Sequence, residues 1–329
     1  MIYGWSSHYI RLFGRWDRSG ECACTVNTGS TVEFRYEGKG CVLLFDTTTC
    51  VAPFPHLWIE LDGVAVEAQA EEYIHVRARE GVHSVKLIVK SAVETQHRWY
   101  APLEAVVRFR GVEADTLLPL EEDRRPIIEF VGDSITEGIL IEPDRVYPGA
   151  RHPWKSEARV YQDDVCLDYS YLTAEKLGCR ARVIGFGAVG STQTGSGHVP
   201  PATQSYPYVY DAVAADEEKA DLIVINHGAN DRGAGGERYK ECAKELIGVV
   251  RRHNPDARIV YMSAFCLAFP DKLREAVEEH NREEADDVRF IDATHWVPEE
   301  PLHPLADGHE IISGKLADEL RNENAIQRK

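Results

Sequence analysis

Residues Ile127-Ile128-Glu129-Phe130-Val131 form a near-continuous apolar run that breaks directly into Gly132-Asp133-Ser134, then Ile135-Thr136-Glu137-Gly138. So little polar interruption is what a strand buried on both faces requires, and such strands belong to parallel sheets. Gly132 admits a tight turn that a Cβ would obstruct. Ser134 then falls at the carboxyl end of the strand, where open α/β sheets place their sites. The same grammar recurs downstream: apolar runs at Ala181 to Phe186, Leu222 to Asn226, Arg258 to Met262 and Val288 to Ile291 alternate with helical patterns. Strand-then-helix repetition predicts a parallel sheet with helices on both faces. Cys242, Leu246 and Val249 or Val250, at helical spacing within Tyr239 to Arg252, read as core packing, and the last helix is predicted from Leu305 to Leu320.

The first third of the chain has a different grammar. From Ser30 to Gly111, short alternating runs are broken by turn signals: Val32, Phe34 and Tyr36 precede Glu37-Gly38-Lys39-Gly40, and Leu57 to Leu61 leads into Asp62-Gly63, a hairpin signal. Further strands are predicted at Tyr73 to Arg77, Val82 to Val89 and Ala105 to Phe109, a spacing that suits a β-sandwich. Gly111 to Arg125, ending in Glu121-Glu122-Asp123-Arg124-Arg125, reads as a linker or exposed boundary. The expected division is therefore a β-sandwich domain over residues 1–118 and an α/β domain over residues 119–329.

The net charge of −17 opposes phosphate backbones and anionic membranes as partners, because both are held by Lys and Arg. No run of about 18 apolar residues suggests a span. Met1-Ile2-Tyr3-Gly4-Trp5 lacks a basic stretch followed by an apolar one, so a cytoplasmic protein is expected and its eight cysteines read as reduced thiols. Cys22-Ala23-Cys24, the one close pair, lacks zinc-site spacing. No metal or cofactor is expected, and a homo-oligomer is left open.

Three further segments join the Gly-Asp-Ser turn: Gly187-Ala188-Val189-Gly190-Ser191, Gly228-Ala229-Asn230-Asp231 and Glu300-Pro301-Leu302-His303-Pro304. A serine hydroxyl needs a base to take its proton, and a histidine with a free pKa of ~6.5 does that at neutral pH. His303 is the candidate base. Taken singly, Ser134 also suits a helix cap, Asn230 a turn or cap, and His309, within Asp307-Gly308-His309, is a rival imidazole with a structural role as its other reading.

Serine, glycine, asparagine and histidine in that order, across four blocks, resemble the SGNH (GDSL-type) hydrolase superfamily over about the last two thirds of the chain. The resemblance implies a flavodoxin-like hydrolase domain, with the Ser134 N–H, the Gly190 N–H and the Asn230 side-chain amide as oxyanion donors. It also implies an orienting acid three residues before the histidine, where this chain has Glu300 in place of Asp; some relatives use a Ser–His dyad instead. Gly185 stands where many relatives carry Asn. A small β-sandwich before such a domain is similar to carbohydrate esterase family two, as are Gly14-Arg15-Trp16 and Ser30 to Gly38. That resemblance implies an N-terminal jelly roll that helps shape a sugar site, and a serine esterase acting on acetylated xylo- or manno-oligosaccharides. The alternatives are a lipase or thioesterase-type acyl hydrolase, or a carbohydrate-binding protein on a silent hydrolase scaffold. Trp296, near the histidine block, and Trp154 are candidate sugar contacts. Ile139 to Val165, with Tyr147, His152, Trp154 and Tyr161, reads as a lid or specificity loop, or equally as a subunit contact or a surface excursion.

Overall fold

A computed structural model of the protein describes residues 1–145, 156–216 and 218–322. Tyr147, His152 and Trp154 lie outside the described residues.

The amino-terminal unit is an antiparallel sheet of β1 (Ile2–Gly4), β2 (Arg11–Phe13), β3 (Ala23–Thr25), β4 (Thr31–Phe45), β5 (His56–Leu61), β6 (Val64–Gln69), β7 (Tyr73–Ser91) and β8 (Val107–Leu118). Six strands run in the order β1-β8-β4-β7-β5-β6, with β2 on β4 and β3 on β8. Asp62-Gly63 makes the predicted hairpin, both residues at positive φ as a type I′ turn requires. The predicted break at Glu37 to Gly40 is instead a bulge within one continuous strand, and Tyr73 to Arg77 and Val82 to Val89 are likewise parts of the single strand β7. The bulge has a clear consequence. Val32, Phe34 and Tyr36 face the buried cluster before it and Cys41, Leu43 and Phe45 after it, so the extra residue switches the alternation and keeps both halves of β4 on one core. The predicted linker narrows too, because Gly111 to Leu118 completes β8.

The second unit is a parallel sheet of β9 (Ile127–Gly132), β10 (Arg180–Gly185), β13 (Leu222–Asn226), β14 (Arg258–Met262) and β15 (Arg289–Ile291), in the order β10-β9-β13-β14-β15; β11 (Tyr208–Tyr210) and β12 (Val213–Ala214) form a small hairpin apart from it. Its helices are α1 (Ser134–Glu137), α2 (Ser156–Gln162), α3 (Tyr169–Leu177), α4 (Ala202–Ser205), α5 (Gly236–His253), α6 (Pro270–Glu284) and α7 (Ala306–Asn322). Successive strand residues point to opposite faces. Ile127, Val131, Ile223, Ile225, Ile259 and Tyr261 accordingly join α5 and α6 in one core, while Ile128, Phe130, Leu222, Val224, Val260 and Met262 join α3 and α7 in the other. Glu129, the polar residue in the β9 run, is fully buried and pairs at 2.6 Å with Arg182 directly across the β9–β10 ladder. This strand order reverses direction beside β9, which is where ligands bind in such sheets.

The two units share buried surface. Trp99, Leu103 and Val106, from the segment between β7 and β8, sit in the α5-side core. Lys90, at the end of β7, is fully buried and donates to the carbonyls of Val160, Tyr161 and Asp163 at the end of α2, at 2.9, 3.3 and 2.7 Å. A cation is the side chain that a helix carboxyl end attracts. Among the described residues, no helix is long and apolar enough to cross a membrane.

Candidate active site

Parallel register brings the loops after β9, β10 and β13 to one height: Gly132 lies opposite Gly185 on one side and Asn226 on the other. Ser134 opens α1 beyond Gly132, capped by Asp133, whose Oδ1 accepts the Ile135 N–H at 3.0 Å. The imidazole of His303, from the loop before α7, reaches it with Nε2 2.9 Å from Ser134 Oγ. Burial lowers the His303 pKa below its ordinary 6.5, Glu94 pulls it back up and Arg159 pushes it down. A neutral imidazole beside a serine hydroxyl can accept its proton.

The other blocks surround this pair. Asn230 donates through Nδ2 to Val189 O at 3.1 Å and to Asp133 Oδ2 at 3.3 Å. Asp133 is fully buried, and desolvation, with Asp231 adding to it, pushes its pKa up to about 7. Asp231 fastens the second block to the third: its carboxylate accepts from the Ser191 N–H at 3.1 Å, the Thr192 N–H at 2.7 Å and the Thr192 hydroxyl at 2.6 Å. That carboxylate is why position 190 is glycine, since a Cβ there would stand 2.5 Å from Asp231 Oδ1. Gly185, where an asparagine is common in the resembling superfamily, has a similar reason: a Cβ would stand 2.5 Å from the Glu137 backbone nitrogen.

Two sequence expectations change. Glu300 is exposed and, among the described residues, makes no hydrogen bond or ion pair with His303; the carboxylate that acts on the imidazole is Glu94, from the other unit. Gly190 does not offer a free N–H, because that group donates to Gln193 O at 3.1 Å. The Ser134 N–H, at the first position of α1, has no acceptor within its helix and remains suited to a developing oxyanion. Trp296 is half-buried against the α7-side core, with Lys315 Nζ 6.0 Å from its ring. Trp154 falls outside the described residues.

His309 sits apart from this chemistry. It is fully buried, accepts the Tyr169 N–H on Nδ1 at 3.0 Å, and burial pushes its pKa down to about 3. An imidazole held neutral in that way packs α7 onto α3.

The residues that sequence reasoning missed are Glu94, Arg98 and Arg159. Arg159 Nη2 lies 2.9 Å from Glu94 Oε1 and its Nε 3.4 Å from Asp163 Oδ1. Each is a charged residue in a stretch with no motif, and nothing local distinguishes it from a solvated one.

The model of the GDSL-like Lipase/Acylhydrolase family matches residues 130–311, more than half of the chain. Several solved structures resemble nearly the whole molecule. A family two carbohydrate esterase from Clostridium thermocellum, in complex with cellohexaose, is 23% identical with a TM-score of 0.75, covering 95% of this chain and 98% of that one. A family two carbohydrate esterase from Cellvibrio japonicus is 17% identical with a TM-score of 0.78, covering 98% and 97%. An acetyl xylan esterase from the rumen bacterium Butyrivibrio proteoclasticus is 17% identical with a TM-score of 0.76, covering 98% and 99%. At these identities the likeness establishes the two-unit fold. No curated protein matches the chain in sequence.

Proposed function

The chain belongs to the GDSL-like lipase/acylhydrolase family, and from that premise we propose that it is a serine esterase that removes O-acetyl groups from neutral carbohydrates. The observation that carries this reading is the 2.9 Å contact between His303 Nε2 and Ser134 Oγ at the carboxyl edge of the sheet.

In the proposed reaction Ser134 Oγ attacks the acetyl carbonyl carbon while His303 Nε2 takes the hydroxyl proton. The carbonyl oxygen becomes an oxyanion, met by the Ser134 N–H and by the Asn230 amide. Fixed donors of this kind are worth about 2.7–4 kcal/mol each. Asn230 is spent on Asp133 and Val189 in the free site. The 3.3 Å bond to Asp133 is the one to yield, since a carboxyl with a pKa of about 7 is readily protonated and then holds a donor less firmly. Collapse of the tetrahedral intermediate breaks the carbonyl–sugar oxygen bond, and the His303 imidazolium protonates the departing alcohol. Water then attacks the acetyl-serine with His303 as base, releasing acetate and restoring the Ser134 hydroxyl. His303 works here as half of a dyad, with Glu94 as the nearby negative charge that favours the imidazolium.

The carbohydrate class is supported by the cellohexaose complex of the Clostridium thermocellum esterase and the acetyl xylan activity in the name of the Butyrivibrio protein, both of the same fold. The charge of −17 opposes an anionic substrate and leaves a neutral one unopposed. The test is acetate release from acetylated xylo- and manno-oligosaccharides, with a chain-length series of aryl esters beside it. Acetate release that Ser134→Ala abolishes, without loss of folding, is expected. Preference for long acyl chains, or turnover that survives Ser134→Ala, would overturn the reading.

A further inference from the structure

The segment between β7 and β8 leaves the antiparallel sheet and crosses the second block of the other unit. Arg98 lies on it, fully buried. Its Nη1 and Nη2 donate to Glu137 Oε1 and Oε2, the latter at 3.0 Å, its backbone N–H donates to Gly197 O at 3.3 Å, and its guanidinium lies 5.2 Å from the centre of the Phe186 ring. Glu137 closes α1, three residues after Ser134, and its Oε2 also accepts the Gly187 N–H at 2.6 Å. Gly187 opens the second block, and its carbonyl takes the Ser196 N–H at 2.9 Å. One carboxylate therefore joins three parts: the crossing segment, the nucleophile's helix and the loop that carries Val189, the acceptor for Asn230.

The bond pattern argues for a geometric role. Arg98 occupies both carboxylate oxygens in the planar two-pronged manner that fixes orientation. With the plane fixed, Oε2 can point only one way, and that way is at Gly187. A buried ion pair is by itself a poor source of stability, because apolar side chains of similar volume often do as well or better.

We propose that Arg98 is a positioning residue for the esterase chemistry: through Glu137 it sets the distance between the Ser134 helix and the second block, so the antiparallel unit supplies attack geometry as well as surface. Arg98 acts without touching substrate. The inference rests on the serine esterase reading above.

The test measures kcat and KM for 4-nitrophenyl acetate, with thermal unfolding, on the full chain. Arg98→Met is compared with Arg98→Lys and with the double variant Arg98→Met/Glu137→Met, which removes the pair without leaving a lone buried charge. Misplacement on the ångström scale costs on the order of 100-fold in rate. The double variant should therefore fold, keep KM within about twofold and lose about 100-fold in kcat, with Arg98→Lys intermediate because it keeps the charge and loses the fork. The acid limb of kcat/KM should stay in place in every variant, since His303 is not what Arg98 holds. A folded double variant with kcat within about threefold of the parent, or a displaced acid limb, would overturn the inference while leaving the esterase reading intact. An inactive parent protein would overturn the esterase reading, and this inference with it.

Discussion

The carboxyl edge of the parallel sheet and the 92–106 segment both reach the turn that carries Ser134, but different forces hold them there. The edge is set by backbone: Gly132 pairs with Gly185 and Asn226, and the strands below are apolar and buried, so the loops share one height whatever their tips carry. The crossing segment is packed into the core by Trp99, Leu103 and Val106, but its links to the Ser134 side are made by charge, through Arg98 on Glu137 and Glu94 on Arg159. Substitution at a loop tip changes chemistry and leaves the frame standing. Substitution of one member of a buried pair leaves an uncompensated charge, typically at a cost of about 3–5 kcal/mol. The two regions should therefore fail differently, the edge in rate and the segment in rate and stability together.

The largest effect that tests the edge is at Asn230. Asn230→Ala removes an oxyanion donor from a loop whose course Gly228, Asp231 and the sheet already fix, so kcat should fall by about 10²–10³ with the melting temperature little changed. Steady-state kinetics beside thermal unfolding separate the two. A loss below tenfold would make the Asn230 amide a strut between Asp133 and Val189, with no share in the oxyanion.

A smaller effect sharpens the segment's side of the comparison. His303 must be neutral to take the serine proton, and burial holds its pKa below 6.5, so kcat/KM should fall on acidification only at a pH below the ordinary histidine value. Glu94 favours the charged imidazole and Arg159 opposes it. In Glu94→Gln the imidazolium loses its favourable partner and Arg159 acts alone, so the sign is downward: the acid limb should move to lower pH. A limb that stays in place in the pH–rate profile would show Glu94 to be electrostatically silent at the base.

Legibility in the sequence follows the same division of forces. Ile127 to Val131 and the four later apolar runs could be read because a strand buried on both faces must be apolar at nearly every position, and Ser134 and His303 because attack on a carbonyl restricts residue type and order. The sequence divides β4 and β7 where the structure does not, because Glu37 to Gly40 and the residues just before Val82 resemble turns. Gly38 pairs with Gly81 across the ladder there, and a bulge uses the same residues that a turn does. Arg98 and Glu94 carry no signal in the sequence, for a deeper reason. A charged residue is ordinarily exposed, and a partner distant in the chain, Glu137 for Arg98 and Arg159 for Glu94, lets the first be fully buried and the second half-buried. No local pattern carries that information.

Glu300 is the position where the comparison can be broken most cheaply. The resemblance to hydrolases with a triad puts the orienting acid there, on the edge, whereas the geometry leaves Glu300 exposed and gives the nearby negative charge to Glu94 on the crossing segment. An acid that orients a catalytic histidine is worth about 10⁴ in kcat when its charge is removed. Glu300→Gln should instead leave kcat and the acid limb within about twofold of the parent, because an exposed carboxylate without a partner at His303 is screened by water. A loss of a hundredfold or more would return the acid to the edge, make the site a triad built wholly from the parallel-sheet unit, and reduce Glu94 to an ion-pair partner for Arg159.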